Sequence, residues 1–223
     1  MILHITKRDG TKEAFNADKI NRSIERACAG LTDPIAKVTQ IATETRLTVY
    51  DGISTEEMDL ATINAAIQNV QQDPEYDKVA TRLLLKVIYK KVLGEYNNDT
   101  AERDRRHVEN FATYIEDGVV QGRLDPRMKE KYDIKSLSGA LDISRDELFQ
   151  YAGLSSLLDR YIIKDLGRGP LETPQYFFMR VAMGLAYNEA EPNVWAKKFY
   201  DKMSQLEYLA GGSTNIGAGT TKP

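Results

Sequence analysis

The sequence predicts a mostly α-helical protein, in which an amino-terminal β-hairpin packs on four helices and more helices follow. Three observations lead to this fold class. Apolar residues alternate around an Asp9-Gly10 turn signal, apolar residues recur at helical spacing from residue 17 onward, and capping residues and prolines mark successive helix starts. The 223 residues are 42% apolar and 28% charged, which is the composition of an ordinary globular chain.

The first 15 residues predict the hairpin. Residues 2–7 alternate between two faces with the period of a strand, and residues 11–15 form the expected return strand. Asp9-Gly10 is a strong turn signal, because glycine accepts the positive φ that a tight hairpin turn requires.

Four helices are predicted before residue 95. They are a helix capped by Asn16 or Asp18 that ends near Gly30, one that starts at Pro34 with Ile35 among its repeating apolar positions, one that opens with a capping box at Ser54–Glu57, and one from Tyr76 to Leu93 that stops at Gly94. Together with the hairpin they predict a first domain over residues 1–95.

Residues 96–223 predict a second, helical domain. Its expected parts are a polar linker over 96–110 that runs into a helix, a helix from Ser144 to Ile163 opened by a second S-x-x-E, a helix that starts at Thr173-Pro174, a helix from Asn193 to Leu206, and a small-residue loop over 211–221.

Composition argues against several classes of protein. The net charge of −3, from 30 basic and 33 acidic residues, does not suggest a nucleic-acid partner. No apolar run is long enough for a membrane helix and no secretory signal is visible, so we expect a cytoplasmic protein with no membrane partner. One cysteine, Cys28, excludes an internal disulfide, a zinc ribbon and a redox dithiol, and no metal site is predicted.

Cations cluster around the predicted hairpin and first helix. Lys7, Arg8 and Lys19 would come together near a helix N-terminus, where backbone N–H groups and the helix dipole also favour a polyphosphate. Glu13 and Asn16 could hydrogen-bond a base or ribose. The same residues are also typical of a solvated hairpin, because charged residues are mostly surface residues.

Two further groups of residues could either contact a ligand or serve only the helix to which they belong. Thr55 stands at a predicted helix start with Met58 and Asp59 one turn later, and such a threonine is commonly a cap. Lys90 and Lys91 lie late in the long helix, where basic residues complement the helix dipole in any case.

Three segments, Ile5–Ile20, Tyr50–Thr55 and Arg82–Leu85 leading to Lys90-Lys91, resemble in this order an ATP-cone, a regulatory domain that binds ATP or dATP. Of the two settings in which a cone occurs, the single cysteine excludes a transcriptional repressor that carries a zinc ribbon. The other setting is the ribonucleotide reductase large (alpha) subunit.

The rest of the chain resembles that subunit. Residues 151–161 and 172–182 resemble the approach to its catalytic barrel, and residues 213–220 resemble its substrate loop. The resemblance implies an ATP-cone followed by the helical amino-terminal segment of a ten-stranded α/β-barrel. It also implies a part in ribonucleoside-diphosphate reduction with a thioredoxin-type reductant, for deoxyribonucleotide synthesis.

The resemblance also implies site residues. The implied effector contacts are Lys7, Arg8, Glu13, Ala14, Phe15, Asn16, Ala17, Asp18, Lys19, Ile20, Thr55, Met58, Asp59 and Lys90. Asp59 stands where several family members have histidine, which affects the expected ribose contact, and Lys86 stands where an aromatic or apolar residue is common. Ser213 and Thr214 would contact the phosphate or ribose of the substrate, although a loop of this composition is also typical of a flexible tail.

The reductase reaction uses cysteines that these 223 residues lack, so no catalytic residue is predicted and the chain is not expected to be active alone. The implied partners are the C-terminal catalytic part of the large subunit, a radical-generating small subunit that supplies the radical cofactor, and further copies of the chain through the cone. ATP or dATP, with Mg²⁺, is the implied effector. A split enzyme, a fragment and a stand-alone ATP/dATP sensor that controls oligomerisation are the alternatives, and an unrelated helical scaffold would not respond to nucleotide.

Overall fold

A computed structural model describes residues 3–7, 10–96 and 99–221. The predicted fold class is confirmed, since a two-stranded antiparallel hairpin is followed by a chain that is mostly helical. Residues 1–87 and 88–223 form two compact units. The domain boundary near residue 95 stays a prediction.

The first unit opens with the hairpin. β1 (His4–Thr6) pairs with β2 (Lys12–Ala14), with His4 opposite Ala14 and Thr6 opposite Lys12. Gly10 has a φ of 82°, as the predicted turn requires, whereas Asp9 lies outside the described residues.

The other edge of β1 is covered by the loop before the third helix. Thr6 N donates to Ile53 O at 2.9 Å, and Gly52 N donates to His4 O at 2.8 Å. Thr6 Oγ1 also donates to Gly52 O at 3.0 Å. These bonds satisfy backbone groups of an otherwise open strand edge and place the start of the third helix beside the hairpin.

The four predicted helices of the first part of the chain are present. They are α1 (Ala17–Cys28), α2 (Pro34–Leu47), α3 (Thr55–Gln68) and α4 (Glu75–Leu93), of which α4 begins in the first unit and ends in the second. Asn16 caps α1, the Ser54–Glu57 capping box opens α3, and α4 ends before Gly94, whose φ is 78°.

The core of the first unit differs from the prediction along α2. Ile35 is 78% exposed, whereas Lys37 is buried with its ammonium 2.7 Å from Asp73 Oδ2 and 2.9 Å from Glu75 Oε2. Apolar periodicity cannot reveal this arrangement, because a buried lysine is tolerated only where anionic partners replace its hydration. The hydrogen bond to Asp73, followed by that to Glu75, raises the pKa of Lys37.

Cys28, on α1, is fully buried. Burial raises the pKa of its thiol to about 11. The thiol is therefore neutral near pH 7 and packs as a small apolar side chain.

The second unit is helical. Its elements after α4 are α5 (Thr100–Val120), α6 (Arg127–Glu130), α7 (Ile134–Ser138), a 3₁₀-helix (Ile143–Leu148), α8 (Tyr151–Arg160), α9 (Pro174–Ala186), α10 (Pro192–Ser204) and α11 (Gly212–Gly217). α9 is almost entirely buried and packs on α10. Among the described ranges, no helix combines the length and apolar character needed to cross a membrane.

Three boundaries in this unit correct the sequence prediction. The helix expected from Ser144 to Ile163 is divided into the 3₁₀-helix and α8, because Phe149 and Gln150 between them have an extended backbone. At its start the Asp142 side chain accepts from Ser144 N in place of the expected capping box. α5 already begins at Thr100, within the expected linker, where Asp99 caps it. The expected loop over 211–221 contains the short helix α11.

Candidate functional site

Glu13 joins two of the predicted phosphate-binding cations. Lys7 Nζ lies 2.6 Å from Glu13 Oε2, and Lys19 Nζ donates to Glu13 Oε1. The hydrogen bonds from Lys19 and then Lys7 lower the pKa of Glu13 to about 2, so that the carboxylate is ionised at neutral pH. The hairpin and α1 therefore bring Lys7 and Lys19 together, as the sequence predicted. Arg8 lies outside the described residues.

The start of α1 lies within this group. Asn16 Oδ1 accepts from Asp18 N at 2.9 Å and from Lys19 N at 3.4 Å. The side-chain oxygen of Asn16 is thus engaged in the cap, while Ala17 and Asp18 form the first turn, at the positive end of the helix dipole.

The other predicted residues of this region contribute backbone and apolar surface. Ala14 pairs with His4 in the hairpin, and Phe15 N donates to Leu3 O at 2.8 Å. Phe15 and Ile20 are half-buried. The backbone bond of Phe15 extends the hairpin pairing up to the start of α1.

The amino-terminal turn of α3 carries the second group of predicted residues. Thr55 is the first residue of this helix, and the bridge between Thr6 and Ser54 places that turn beside β1. Met58 is buried in the core, and Asp59, one turn after Thr55, is half-buried.

Asp59 and Lys86 meet in the first unit. Lys86 Nζ lies 3.7 Å from Asp59 Oδ1 and donates to Ser23 Oγ at 2.6 Å, so this lysine connects α4 with both α3 and α1. Asp59 and Lys86 are two positions at which the sequence analysis expected a departure from the ATP-cone pattern. In the structure the two side chains form an ion pair.

Lys90 belongs to the second unit, near the end of α4. Its ammonium lies 3.0 Å from Glu95 Oε2. The assignment of Lys90 to an effector site stays a prediction from the sequence.

The predicted substrate-loop residues lie on α11. Ser213 is exposed and Thr214 is half-buried. The backbone that follows is held against α9, because Arg180 Nη1 donates to Ala218 O at 2.6 Å. A Cβ atom on Gly184 would overlap the backbone nitrogen of Gly219, so only glycine permits this close approach. The segment therefore packs against α9 and is not a free tail.

The cation that holds this segment belongs to a buried ion pair. Arg180 Nε donates to Glu172 Oε1 at 2.6 Å, and neither side chain is exposed. Glu172 also accepts hydrogen bonds from the Tyr114 hydroxyl and from Ile163 N, the latter at 3.0 Å. Sequence reasoning missed this pair. The available signal was a single arginine within the apolar run of residues 176–182.

A second buried carboxyl was also missed. Asp146 accepts hydrogen bonds from the Tyr89 hydroxyl and from Gln175 Nε2, each at 2.6 Å. Burial raises the pKa of Asp146 to about 7. Within the described ranges, no three His, Cys, Asp or Glu side chains are grouped so that they could hold a metal ion.

Residues 3–91 match the ATP cone domain family. Residues 147–223 match the ribonucleotide reductase all-alpha domain. The chain therefore combines an ATP cone domain with a ribonucleotide reductase all-alpha domain and matches the amino-terminal part of ribonucleoside-diphosphate reductase alpha subunits, as the sequence resemblance implied.

Individual relatives agree with this assignment. The chain is similar to the ribonucleoside-diphosphate reductase alpha subunits of Chlamydia muridarum (36% identity over 217 residues, 96% of this chain and 20% of the relative), Chlamydia trachomatis (36% over 219 residues, 97% and 20%) and Helicobacter pylori (35% over 224 residues, 99% and 27%). It spans about a fifth to a quarter of the length of these curated relatives.

Proposed function

We propose that the first unit binds ATP or dATP as an allosteric effector. The observation that carries the proposal is the convergence of Lys7 and Lys19 on Glu13 at the start of α1, within residues that match the ATP cone domain. Two ammonium groups beside the positive end of a helix dipole suit the phosphates of a nucleotide. Thr55 and Asp59 on α3 are the proposed contacts to the base and ribose, with Arg8 and Lys90 added on the sequence resemblance.

The second unit is proposed to take part in ribonucleoside-diphosphate reduction. Ser213 and Thr214, on a segment seated by Arg180 and Gly184, would contact the phosphate or ribose of the substrate. The C-terminal catalytic part of the subunit and a radical-generating small subunit are the proposed partners, and the latter supplies the radical that starts the reaction. Mg²⁺ would accompany the nucleotide, copies of the chain would associate through the cone, and the assembly would be cytoplasmic.

Calorimetric titration of the chain with ATP and dATP tests the effector site. We expect both nucleotides to bind and to compete. Lys19→Met should weaken both by about 10- to 100-fold, because a hydrogen bond to a charged group contributes about 1.5–3 kcal/mol. Lys78→Met, at an exposed position of α4, is the matched control and should bind like the unaltered chain. Absence of binding at millimolar nucleotide would contradict the proposal.

Reconstitution tests the catalytic part of the proposal. The chain is mixed with the C-terminal catalytic part of a related alpha subunit and with a small subunit, and deoxyribonucleotide formation is measured. Product that appears only when all parts are present supports the reductase role. Nucleotide binding without any product would instead favour a sensor that controls oligomerisation without catalysis.

A further inference from the structure

We propose that Arg180 is a positioning residue for ribonucleoside-diphosphate reduction. Its buried guanidinium fixes the backbone of residues 211–219, and thereby the place from which the hydroxyls of Ser213 and Thr214 reach the substrate. The inference rests on the proposed function, in which these two hydroxyls contact the phosphate or ribose of the substrate. It adds a residue that does not touch the substrate but determines how well the substrate is held.

The guanidinium holds the carboxyl-terminal end of α11. Arg180 Nη1 donates to Ala218 O at 2.6 Å, and both Nη atoms donate to Asn215 O at 3.3 Å. The last carbonyl groups of a helix have no partner within that helix, so they need acceptable donors from outside it. Isolated helices shorter than about 12 residues are marginal in water, and α11 has only six. Arg180 therefore supplies bonds on which the conformation of α11 depends.

The rest of the segment is held close to the same arginine. Asn215 Nδ2 donates to Ala210 O at 2.9 Å, and this bond closes the turn that carries the two hydroxyls. Beyond α11 the chain passes so near Arg180 that a Cβ atom added to Gly219 would lie 2.8 Å from Arg180 Cγ. These contacts use backbone groups and the Asn215 amide. They therefore set the position of the two hydroxyls without engaging them.

Glu172 sets the direction of the guanidinium. Arg180 Nε donates to Glu172 Oε1 at 2.6 Å, the Tyr114 hydroxyl donates to the same oxygen, and Ile163 N donates to Oε2 at 3.0 Å. Neither member of the ion pair is exposed, so water does not compete for these bonds. A guanidinium offers a rigid fork of N–H donors, whereas an ammonium group is a single point charge. A lysine in this place could pair with Glu172 but could not also hold the carbonyl groups of the segment.

The test measures the kinetics of the assembly reconstituted from this chain, the C-terminal catalytic part and a small subunit, with Arg180→Lys in this chain. We expect KM for the ribonucleoside diphosphate to rise about 10- to 100-fold, because a misplacement of about 1 Å can cost about 100-fold. The value of kcat should change much less, because contacts that bind ground state and transition state equally act on KM. Arg145→Lys is the matched control, since its guanidinium bonds to Asp201 and Ser204 instead of to this segment.

A double-mutant cycle with Thr214→Val distinguishes positioning from a merely structural role. If Arg180 acts through the Thr214 hydroxyl, the loss of this hydroxyl raises KM in the unaltered assembly but adds little once Arg180→Lys has displaced it. Additive effects on KM would overturn the proposal. Hydrogen exchange of the chain alone should also become faster over residues 211–219 in Arg180→Lys, and unchanged exchange there would overturn the proposal as well.

The outcomes separate the inference from the function on which it rests. If the unaltered assembly forms no product, the reductase role is wrong and the positioning role is wrong with it. If that assembly is active and Arg180→Lys leaves KM unchanged, only the positioning role is wrong. Circular dichroism checks that each variant is folded. If Arg180→Lys does not fold, Glu172→Asp keeps both charges but draws the guanidinium back by one methylene group, and it should raise KM in the same way; an unchanged KM would again overturn the proposal.

Discussion

Arg180 and Glu172 form an ion pair with no solvent exposure, in which the guanidinium Nε donates to Glu172 Oε1 at 2.6 Å. Arg180 also donates to Ala218 O at 2.6 Å, and Glu172 accepts from the Tyr114 hydroxyl. One buried pair thus connects α9 and α5 with the segment that carries the proposed substrate contacts. Its removal should affect both the stability of the unit and the position of that segment.

Glu172→Gln should destabilise the second unit by about 3–5 kcal/mol, because it leaves the buried guanidinium without its counter-charge. Urea unfolding followed by the fluorescence of Trp195, the one tryptophan in the chain, reports on this unit. Glu116→Gln removes an ion pair with Lys129 in which both side chains are exposed, and should cost less than about 1 kcal/mol. Equal losses of unfolding free energy in the two variants would show that the buried pair contributes no more to stability than the exposed pair.

Gly184→Ala should displace residues 211–221 from α9. The added Cβ would overlap the backbone of Gly219, and a backbone atom cannot move aside as a flexible side chain can. Hydrogen exchange followed by mass spectrometry should show faster exchange in 211–221, with the rest of α9 unchanged. Gly153→Ala on α8 is the matched control, because its Cβ would meet only Phe149 at an ordinary 3.9 Å and alanine favours the helix. Unchanged hydrogen exchange over residues 211–221 in Gly184→Ala would show that the close contact with α9 does not hold this segment in place.

The raised pKa of Asp146 predicts an unusual pH dependence of the unfolding free energy. Its pKa is about 7 in the folded protein against an ordinary value of 3.8, so between these values the folded state holds a proton that the unfolded state has lost. The unfolding free energy should therefore fall as pH rises from about 4 to 7, by up to about 1.4 kcal/mol per pH unit from this group.

The measurement compares the unaltered chain with Asp146→Asn by urea unfolding at several pH values. The variant resembles the protonated acid and should lack this loss of stability. Burial lowers the pKa of His107 to about 3, so this residue makes the unfolding free energy rise with pH. The contribution of His107 is the same in both proteins and cancels in the comparison. Parallel pH profiles would show that Asp146 is ionised in the folded state.

The Asp59–Lys86 pair predicts an energetic coupling within the first unit. Asp59→Asn, Lys86→Met and the double variant form a double-mutant cycle, with stability taken from the slowest-exchanging amides of α1 and α3. We expect a coupling of about 0.5–1 kcal/mol, because the pair is only partly screened by solvent. A coupling of zero would mean that Asp59 and Lys86 contribute to stability independently.

Local signals in the sequence predicted much of the first unit. The turn at Gly10, the Asn16 cap and the Ser54–Glu57 capping box act through neighbouring residues, so they can be predicted without knowledge of the fold. The meeting of Lys7 and Lys19 followed from the hairpin and the helix start. That Glu13 would bridge them did not, because side-chain pairing depends on the register of β2.

The residues that sequence reasoning missed are buried polar groups. Lys37, Asp146, Glu172 and Arg180 are placed by partners far away in the chain, and neither periodicity nor propensity reveals which charged residue will be buried. The segment over 211–221 shows the same limit. Its small residues predicted a loop and left a flexible tail as an alternative, whereas the contacts of Arg180 and Gly184 give it a defined conformation.

The most direct test of the central claim, that the first unit binds nucleotide at the hairpin and the helix starts beside it, is hydrogen exchange with and without saturating ATP. We predict slower exchange in residues 3–20 and 54–59, with the largest change at the first turn of α1. Protection confined to other parts of the chain, or no protection at millimolar ATP, would contradict the account.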